Sequence, residues 1–106
     1  MDNQHRKISG YRELSQEEID LMNEIKALGP VLEDMIIKVK LHLTNQINAA
    51  YQTVNATDFP LNKEEAQNVV DRHSDATPAR WANMAATEFQ SALMKLTRAV
   101  AQPTFF

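Results

Sequence analysis

The chain has 106 residues, a formal net charge of −3 and no cysteine, so we expect a single domain without disulfides or thiolate metal sites. Hydrophobic residues make up 43% and charged residues 24%, proportions that argue against wholesale disorder. No run approaches the ~20 apolar residues of a membrane span, and the negative charge gives no general attraction to nucleic acid polymers. We therefore expect a cytoplasmic protein that engages neither a membrane nor a nucleic acid polymer.

The first predicted elements are an N-terminal arm, residues 1–14, and a long helix over residues 15–55. Ser15 and Glu18 have the spacing of a capping box, in which each side chain bonds the backbone N–H of the other residue. Apolar residues then recur at helical spacing, beginning with Ile19, Met22, Ile25 and Leu28. Gly29-Pro30 interrupts this stripe, and because proline removes a donor we expect a kink or a brief break there.

A bend with a short helix is predicted over residues 56–77, where polar residues and Pro60 disturb the helical period. Asn62 followed by Glu65 predicts a side-chain cap for this short helix, which should reach about Arg72. The last helix is predicted at residues 78–102, with Thr77 as N-cap and Pro78 at the first helical position.

The predicted fold is all-α, an antiparallel helical hairpin with a kinked first helix and a capped N-terminal arm. Trp81 is expected in its core. Two helices cannot enclose both of their apolar faces, and the chain also carries four phenylalanines and five methionines. We therefore expect a homo-oligomer, in which sites at the interfaces are shared between protomers.

Several residues suit an anionic, planar ligand. Tyr11 beside Gly10 offers a ring for stacking, although a tyrosine near a cap is usually a packing residue. Lys26 offers a charge for a phosphate, although a lysine beside an apolar stripe most often extends to solvent. Arg12 belongs to a basic cluster with Arg6 and Lys7 that would steer anions inward, and Arg80 begins the last helix.

Catalysis is not predicted, since the sequence has no glycine-rich phosphate loop, no nucleophile motif and no paired carboxylates. The three histidines lie in unrelated segments without carboxylates at ligand spacing, so no metal and no cofactor are expected.

Both ends of the chain carry a family pattern. It consists of Ile8-Ser9-Gly10-Tyr11-Arg12-Glu13-Leu14-Ser15, of Asn23-Glu24-Ile25-Lys26, and of the run from Pro78 to Phe106. These segments resemble the small phage sponge proteins that sequester cyclic oligonucleotides and so block CBASS immunity. The resemblance covers both ends, whereas the middle, residues 44–77, matches no family that we can name.

The resemblance implies a hexamer that binds cyclic dinucleotides such as cyclic GMP-AMP at protomer interfaces and does not cleave them. Gly10, Tyr11, Arg12 and Lys26 would form the dinucleotide site, with Tyr11 stacking and Lys26 on a phosphate. Arg80 would bind cyclic trinucleotides at a second site. Two alternatives stay open: a sponge for cyclic ADP-ribose-type signals, and a structural or regulatory oligomer without a nucleotide ligand.

Overall fold

A computed structural model describes residues 12–56 and 62–105 of the chain. Over these ranges it contains three helices and no strand: α1 (Gln16–Val54), α2 (Lys63–Ala76) and α3 (Pro78–Ala101). The predicted all-α class is therefore confirmed. At a rise of 1.5 Å per residue, the 39 residues of α1 extend over about 58 Å.

The start of α1 is the predicted capping box. The Ser15 N–H donates to Glu18 Oε1 over 2.9 Å, and the Glu18 N–H donates to Ser15 Oγ over 3.2 Å. Two N–H groups that no helical carbonyl can reach are thereby paired.

Helix α1 continues through Gly29 and Pro30, so the brief break considered from the sequence does not occur. Pro30 has no N–H, and the carbonyl of Lys26 therefore lacks its usual helical donor. Gly29 faces α3: a Cβ added at residue 29 would lie 4.0 Å from Leu93 Cδ1, an ordinary contact.

The start of α2 differs from the prediction. Asn62 has a left-handed backbone, with φ of 68°, and its side chain makes no capping hydrogen bond, so the predicted side-chain cap is wrong. An N-cap side chain normally bonds from an extended backbone, which Asn62 does not have. The helix also continues to Ala76, four residues beyond the expected end at Arg72.

A single residue separates α2 from α3. Thr77 also has a left-handed backbone, with φ of 47°, and its N–H donates to the carbonyl of His73 to end α2. Its carbonyl accepts the N–H of Arg80 over 3.1 Å at the start of α3. Pro78 is the first residue of α3, where its missing N–H costs nothing, as predicted.

The described residues form two compact units, one of residues 12–33 with 87–105 and one of residues 34–56 with 62–86. In the first unit the N-terminal part of α1 lies antiparallel to the C-terminal part of α3. In the second, His73 Nε2 on α2 lies 2.7 Å from Gln46 Oε1 on α1 and forms a hydrogen bond with it. Of the helices described, none is long and apolar enough to cross a membrane.

Alanines form the buried core. Ala50, Ala66 and Ala82, one from each helix, are the buried apolar residues of the described chain, and no large side chain there is fully buried. Trp81, expected in the core, is 58% exposed, so that prediction is wrong for a single chain. The neighbouring Ala82 faces inward in its place, because a small side chain lets helices approach closely.

Candidate functional site

A groove between α1 and α3 lies in the first unit. It has a volume of about 720 Å³, within the range of small-molecule sites. From α1 it is lined by two adjacent pairs that lie about one helical turn apart, Met22 with Asn23 and Ile25 with Lys26. From α3 and the segment that follows, the lining residues are Leu93, Met94, Thr97, Arg98, Ala101 and Pro103. Most of the lining is apolar, with a few polar groups placed among methyl and methylene surface.

Two cations lie in the groove, one on each helix. Lys26 on α1 is exposed, and Arg98 on α3 is also exposed. The Arg98 guanidinium donates from Nη2 to the carbonyl of Phe105 over 2.5 Å, which leaves other N–H donors of that guanidinium. Thr97 Oγ1 donates to the carbonyl of Leu93 over 3.0 Å, so its oxygen can still accept. A ligand that is apolar in its rings and anionic at its edges fits this distribution.

Arg12 lies at the α3 end of the groove. Its Nε donates over 3.2 Å to the carbonyl of Ala101, which itself lines the groove, and its Nη2 donates over 2.7 Å to the carbonyl of Val100. The same guanidinium forms a bidentate ion pair with Glu18. Hydrogen bonds from Arg12 and then from Ser15 lower the pKa of Glu18 to about 2. The Glu18 hydrogen bond in turn raises the pKa of Arg12 above its ordinary value.

The predicted site residues do not all lie at the groove. Lys26 lines the groove and Arg12 lies at its edge. Gly10 and Tyr11 fall outside the described residues. Arg80 belongs to the second unit, where its guanidinium carbon lies 5.4 Å from the centre of the Trp81 ring and forms a cation–π pair.

A smaller concavity of about 320 Å³ lies in the second unit beside the start of α3. Its lining includes the ammonium-bearing Lys40 and the imidazole of His73, together with Ala79 and Asn83 on either side of Arg80 in sequence. Arg80 itself is exposed and does not line this concavity. Nowhere in the described ranges do three or more His, Asp or Glu side chains gather closely enough to hold a metal ion.

The sequence interpretation missed Arg98. The signal for it is the spacing on α3, since Met94, Arg98 and the neighbouring Thr97 and Ala101 share a helix face at steps of three and four. That face could be paired with Lys26 only once the antiparallel arrangement of α1 and α3 was known.

Two comparisons with known proteins match nearly the whole chain. The family model of the Acb2/Tad1 hairpin domain matches residues 5–101. Anti-CBASS protein 2 of Pseudomonas phage JBD67 is 41% identical to this chain over 105 residues, which cover 97% of both chains. A match of this extent, including the middle segment that the sequence interpretation could not place, leaves one conclusion about ancestry: the chain belongs to the Acb2/Tad1 hairpin family.

Proposed function

We propose that this protein binds cyclic dinucleotides in the groove between α1 and α3 and sequesters them without cleavage. By lowering the free concentration of the messenger, it would block CBASS signalling in the cytoplasm of a phage-infected bacterium. The name of the phage relative, Anti-CBASS protein 2, supports the biological role. The observation that carries the ligand class is a groove of about 720 Å³ with an apolar lining and the cations Lys26 and Arg98 on its two helices.

The groove residues fit a cyclic dinucleotide group by group. The phosphates would pair with the ammonium of Lys26 and with a free edge of the Arg98 guanidinium. The nucleobases would lie against the side chains of Met22 and Leu93, where methyl groups and a thioether cover a flat surface well. Tyr11, next to Gly10 on the N-terminal arm, would stack on one base, a contact worth about 1–3 kcal/mol.

Sequestration also accounts for the chemistry of the lining. The described lining residues supply amide, hydroxyl, ammonium, guanidinium and apolar groups, which hold phosphates and rings. Sponge action needs tight binding and many sites, because the free messenger falls only while sites outnumber signal molecules.

The exposed apolar surface of the chain favours self-association, and a second copy would close the groove. Large apolar side chains remain exposed along the described helices, among them Val31 at 64%, Leu41 at 58%, Trp81 at 58% and Met94 at 72%. Apolar surface on this scale is rarely left to water by a stable protein. We propose that a second copy covers Met94 and closes the groove within a symmetric assembly, for which the family resemblance implies a hexamer. Light scattering should then return six times the 12.0 kDa of one chain, whereas a stable 12.0 kDa species at micromolar concentration would contradict self-association.

The test of function is recovery of the ligand. Purified protein is incubated separately with cyclic GMP-AMP and with cyclic ADP-ribose isomers, the free ligand is measured by filtration, and the protein is then denatured by heat. We expect depletion of cyclic GMP-AMP and its return in intact form. Altered ligand would indicate an enzyme, depletion of the ADP-ribose ligand alone would indicate the alternative sponge, and no depletion would favour a structural protein.

The matched variants are Lys26→Ala and Lys38→Ala. Both remove one exposed lysine of α1, but only Lys26 lines the groove. A hydrogen bond to a charged group is worth about 1.5–3 kcal/mol, so Lys26→Ala should weaken binding by about ten- to a hundredfold. Its binding should also depend less on salt. Equal affinities of the two variants would contradict the placement of the phosphate.

A second ligand class is proposed for Arg80. Its guanidinium and the Trp81 ring are both exposed and paired, so a cation and a stacking surface are presented together. Several copies in a symmetric assembly could hold the three phosphates of a cyclic trinucleotide. Arg80→Ala should abolish trinucleotide binding and leave dinucleotide binding unchanged, since distant sites act almost independently. The control is Arg72→Ala on the exposed surface of α2. Loss of dinucleotide binding in Arg80→Ala would contradict a separate site.

A further inference from the structure

Arg98 lies between two concave surfaces of the first unit. One is the groove between α1 and α3, and the other is a concavity of about 440 Å³ whose described lining comes from α3 alone. Arg98 and Met94 line both, and the other lining residues of the second concavity are Thr87, Gln90, Ser91 and Lys95. An exposed arginine has many rotamers, so without a further contact the Arg98 guanidinium could turn to either side.

The segment after α3 supplies such a contact. The N–H of Gln102 donates to the carbonyl of Arg98 over 2.8 Å, and Gln102 has a left-handed backbone, with φ of 53°. A left-handed residue directly after a helix turns the chain out of the helical path, and the proline that follows cannot continue the helix. The carbonyl of Phe105 then accepts a hydrogen bond from Arg98 Nη2 over 2.5 Å. We refer to residues 102–105 as the strap.

The strap holds Arg98 without neutralising its charge. A backbone carbonyl has no net charge, and a guanidinium has five N–H donors, so one hydrogen bond leaves four donors for other acceptors. Pro103 of the strap lines the groove, whereas the described lining of the second concavity comes from α3. The segment that holds the guanidinium is therefore also part of the groove wall. Orienting a charged side chain before its ligand arrives lowers the entropy that binding must overcome.

We propose that the strap positions Arg98: its Phe105 carbonyl keeps the guanidinium on the groove side, where the remaining donors bind a phosphate. Gln102 is the positioning residue, because its left-handed backbone brings the strap back toward Arg98. This inference rests on the proposed function of the groove as a cyclic dinucleotide site.

Gln102→Gly and Gln102→Val form a matched pair of variants. Both remove the same exposed side chain, but glycine adopts a left-handed backbone readily, whereas a β-branched residue before a proline favours an extended one. The end of α3 stays anchored in both variants, because the carbonyls of Val100 and Ala101 accept hydrogen bonds from Arg12. The pair therefore tests the strap and not the helix.

The first experiment is calorimetry of both variants with cyclic GMP-AMP. We expect Gln102→Gly to bind at least as tightly as the wild type. Gln102→Val should bind about five- to thirtyfold more weakly than Gln102→Gly, since a left-handed backbone is disfavoured to that extent in a residue with a side chain. Equal affinities of the two variants would overturn the proposal. Tighter binding by Gln102→Val would also overturn it, because the Phe105 carbonyl would then be competing with the phosphate for Arg98.

The second experiment repeats the comparison in the Arg98→Ala background. The strap also contributes Pro103 to the groove wall, and that contribution does not depend on the arginine. If the strap acts through Arg98, the two Gln102 variants should bind equally in this background. A difference as large as the one measured with Arg98 present would overturn the positioning role.

A ligand-free measurement separates this inference from the proposed function. In nuclear magnetic resonance spectra of protein labelled with ¹⁵N-arginine, a held guanidinium gives separate Nη signals and a freely rotating one gives averaged signals. Arg98, assigned by its loss in Arg98→Ala, should give separate signals in the wild type and in Gln102→Gly, and averaged signals in Gln102→Val. Averaged signals in the wild type would overturn the proposal. A held Arg98 in a wild type that binds no cyclic dinucleotide would overturn the proposed function and leave the restraint by the strap standing.

Discussion

Replacing Pro30 by alanine tests whether α1 is one continuous helix. In the structure the helix passes through residue 30, although Pro30 cannot donate to the carbonyl of Lys26. An alanine restores that donor. Proline in a helix interior is about 3 kcal/mol less favourable than alanine, so Pro30→Ala should raise the free energy of unfolding by about this amount.

The size of the effect follows from the surroundings of residue 30, which is exposed and loses little packing when the ring is removed. One kcal/mol shifts the melting temperature of a domain of this size by about 4–8 °C, so Pro30→Ala should melt about 12–24 °C higher. Gly29→Ala should add about 1 kcal/mol, because its new Cβ meets Leu93 Cδ1 at an ordinary 4.0 Å.

The assay is thermal unfolding followed by far-UV circular dichroism, at one protein concentration for all variants because assembly shifts the transition. Glu33→Ala, at a nearby exposed position without apolar surface, is the control and should change stability by less than about 1 kcal/mol. A Pro30→Ala variant that is no more stable than the control would refute the reasoning, since it would mean that the helix is interrupted at residue 30.

Four further outcomes are expected. Ser15→Ala removes half of the capping box and should lower the free energy of unfolding by about 1 kcal/mol in urea titrations; an unchanged midpoint would contradict the cap. The pKa of Glu18 is about 2 in the folded protein and near 4.5 ordinarily, so its stabilisation is present above pH 4.5 and is lost as the pH falls toward 2. Glu18→Gln should flatten acid unfolding in that window, and an unaltered pH profile would count against the ion pair. Met94→Asp should dissociate the assembly in light scattering, because it places a charge on a residue that is 72% exposed in one chain; a variant of unchanged mass would place the interface elsewhere. Thr77→Asn should raise stability by about 1 kcal/mol in thermal unfolding, since a β-branched residue with φ of 47° is strained; destabilisation would argue that the threonine side chain is needed there.

Local rules predicted the helices well. The capping box at Ser15 and Glu18 and the start of α3 at Pro78 involve groups within four residues of each other, and both are found. The predicted cap at Asn62 is not found. Asparagine is a residue type typical of an N-cap, but Asn62 has a left-handed backbone and its side chain makes no capping hydrogen bond. The side-chain oxygen of an N-cap residue normally accepts a hydrogen bond from the first turn of the helix when the backbone of that residue is extended.

The sequence alone determined the helical class, the position of the first cap and the presence of Lys26 on the face that begins with Met22, since each depends on residues a few positions apart. Only the tertiary structure brought Arg98 into one groove with Lys26 and placed the carbonyls of Val100 and Ala101 against Arg12. Such pairs are separated by more than 70 residues, and no periodicity within one helix specifies which face of a distant helix it will meet. The packing of α1 against α3 decides that, because contact between side-chain surfaces, and not the spacing of residues along the chain, selects the partners.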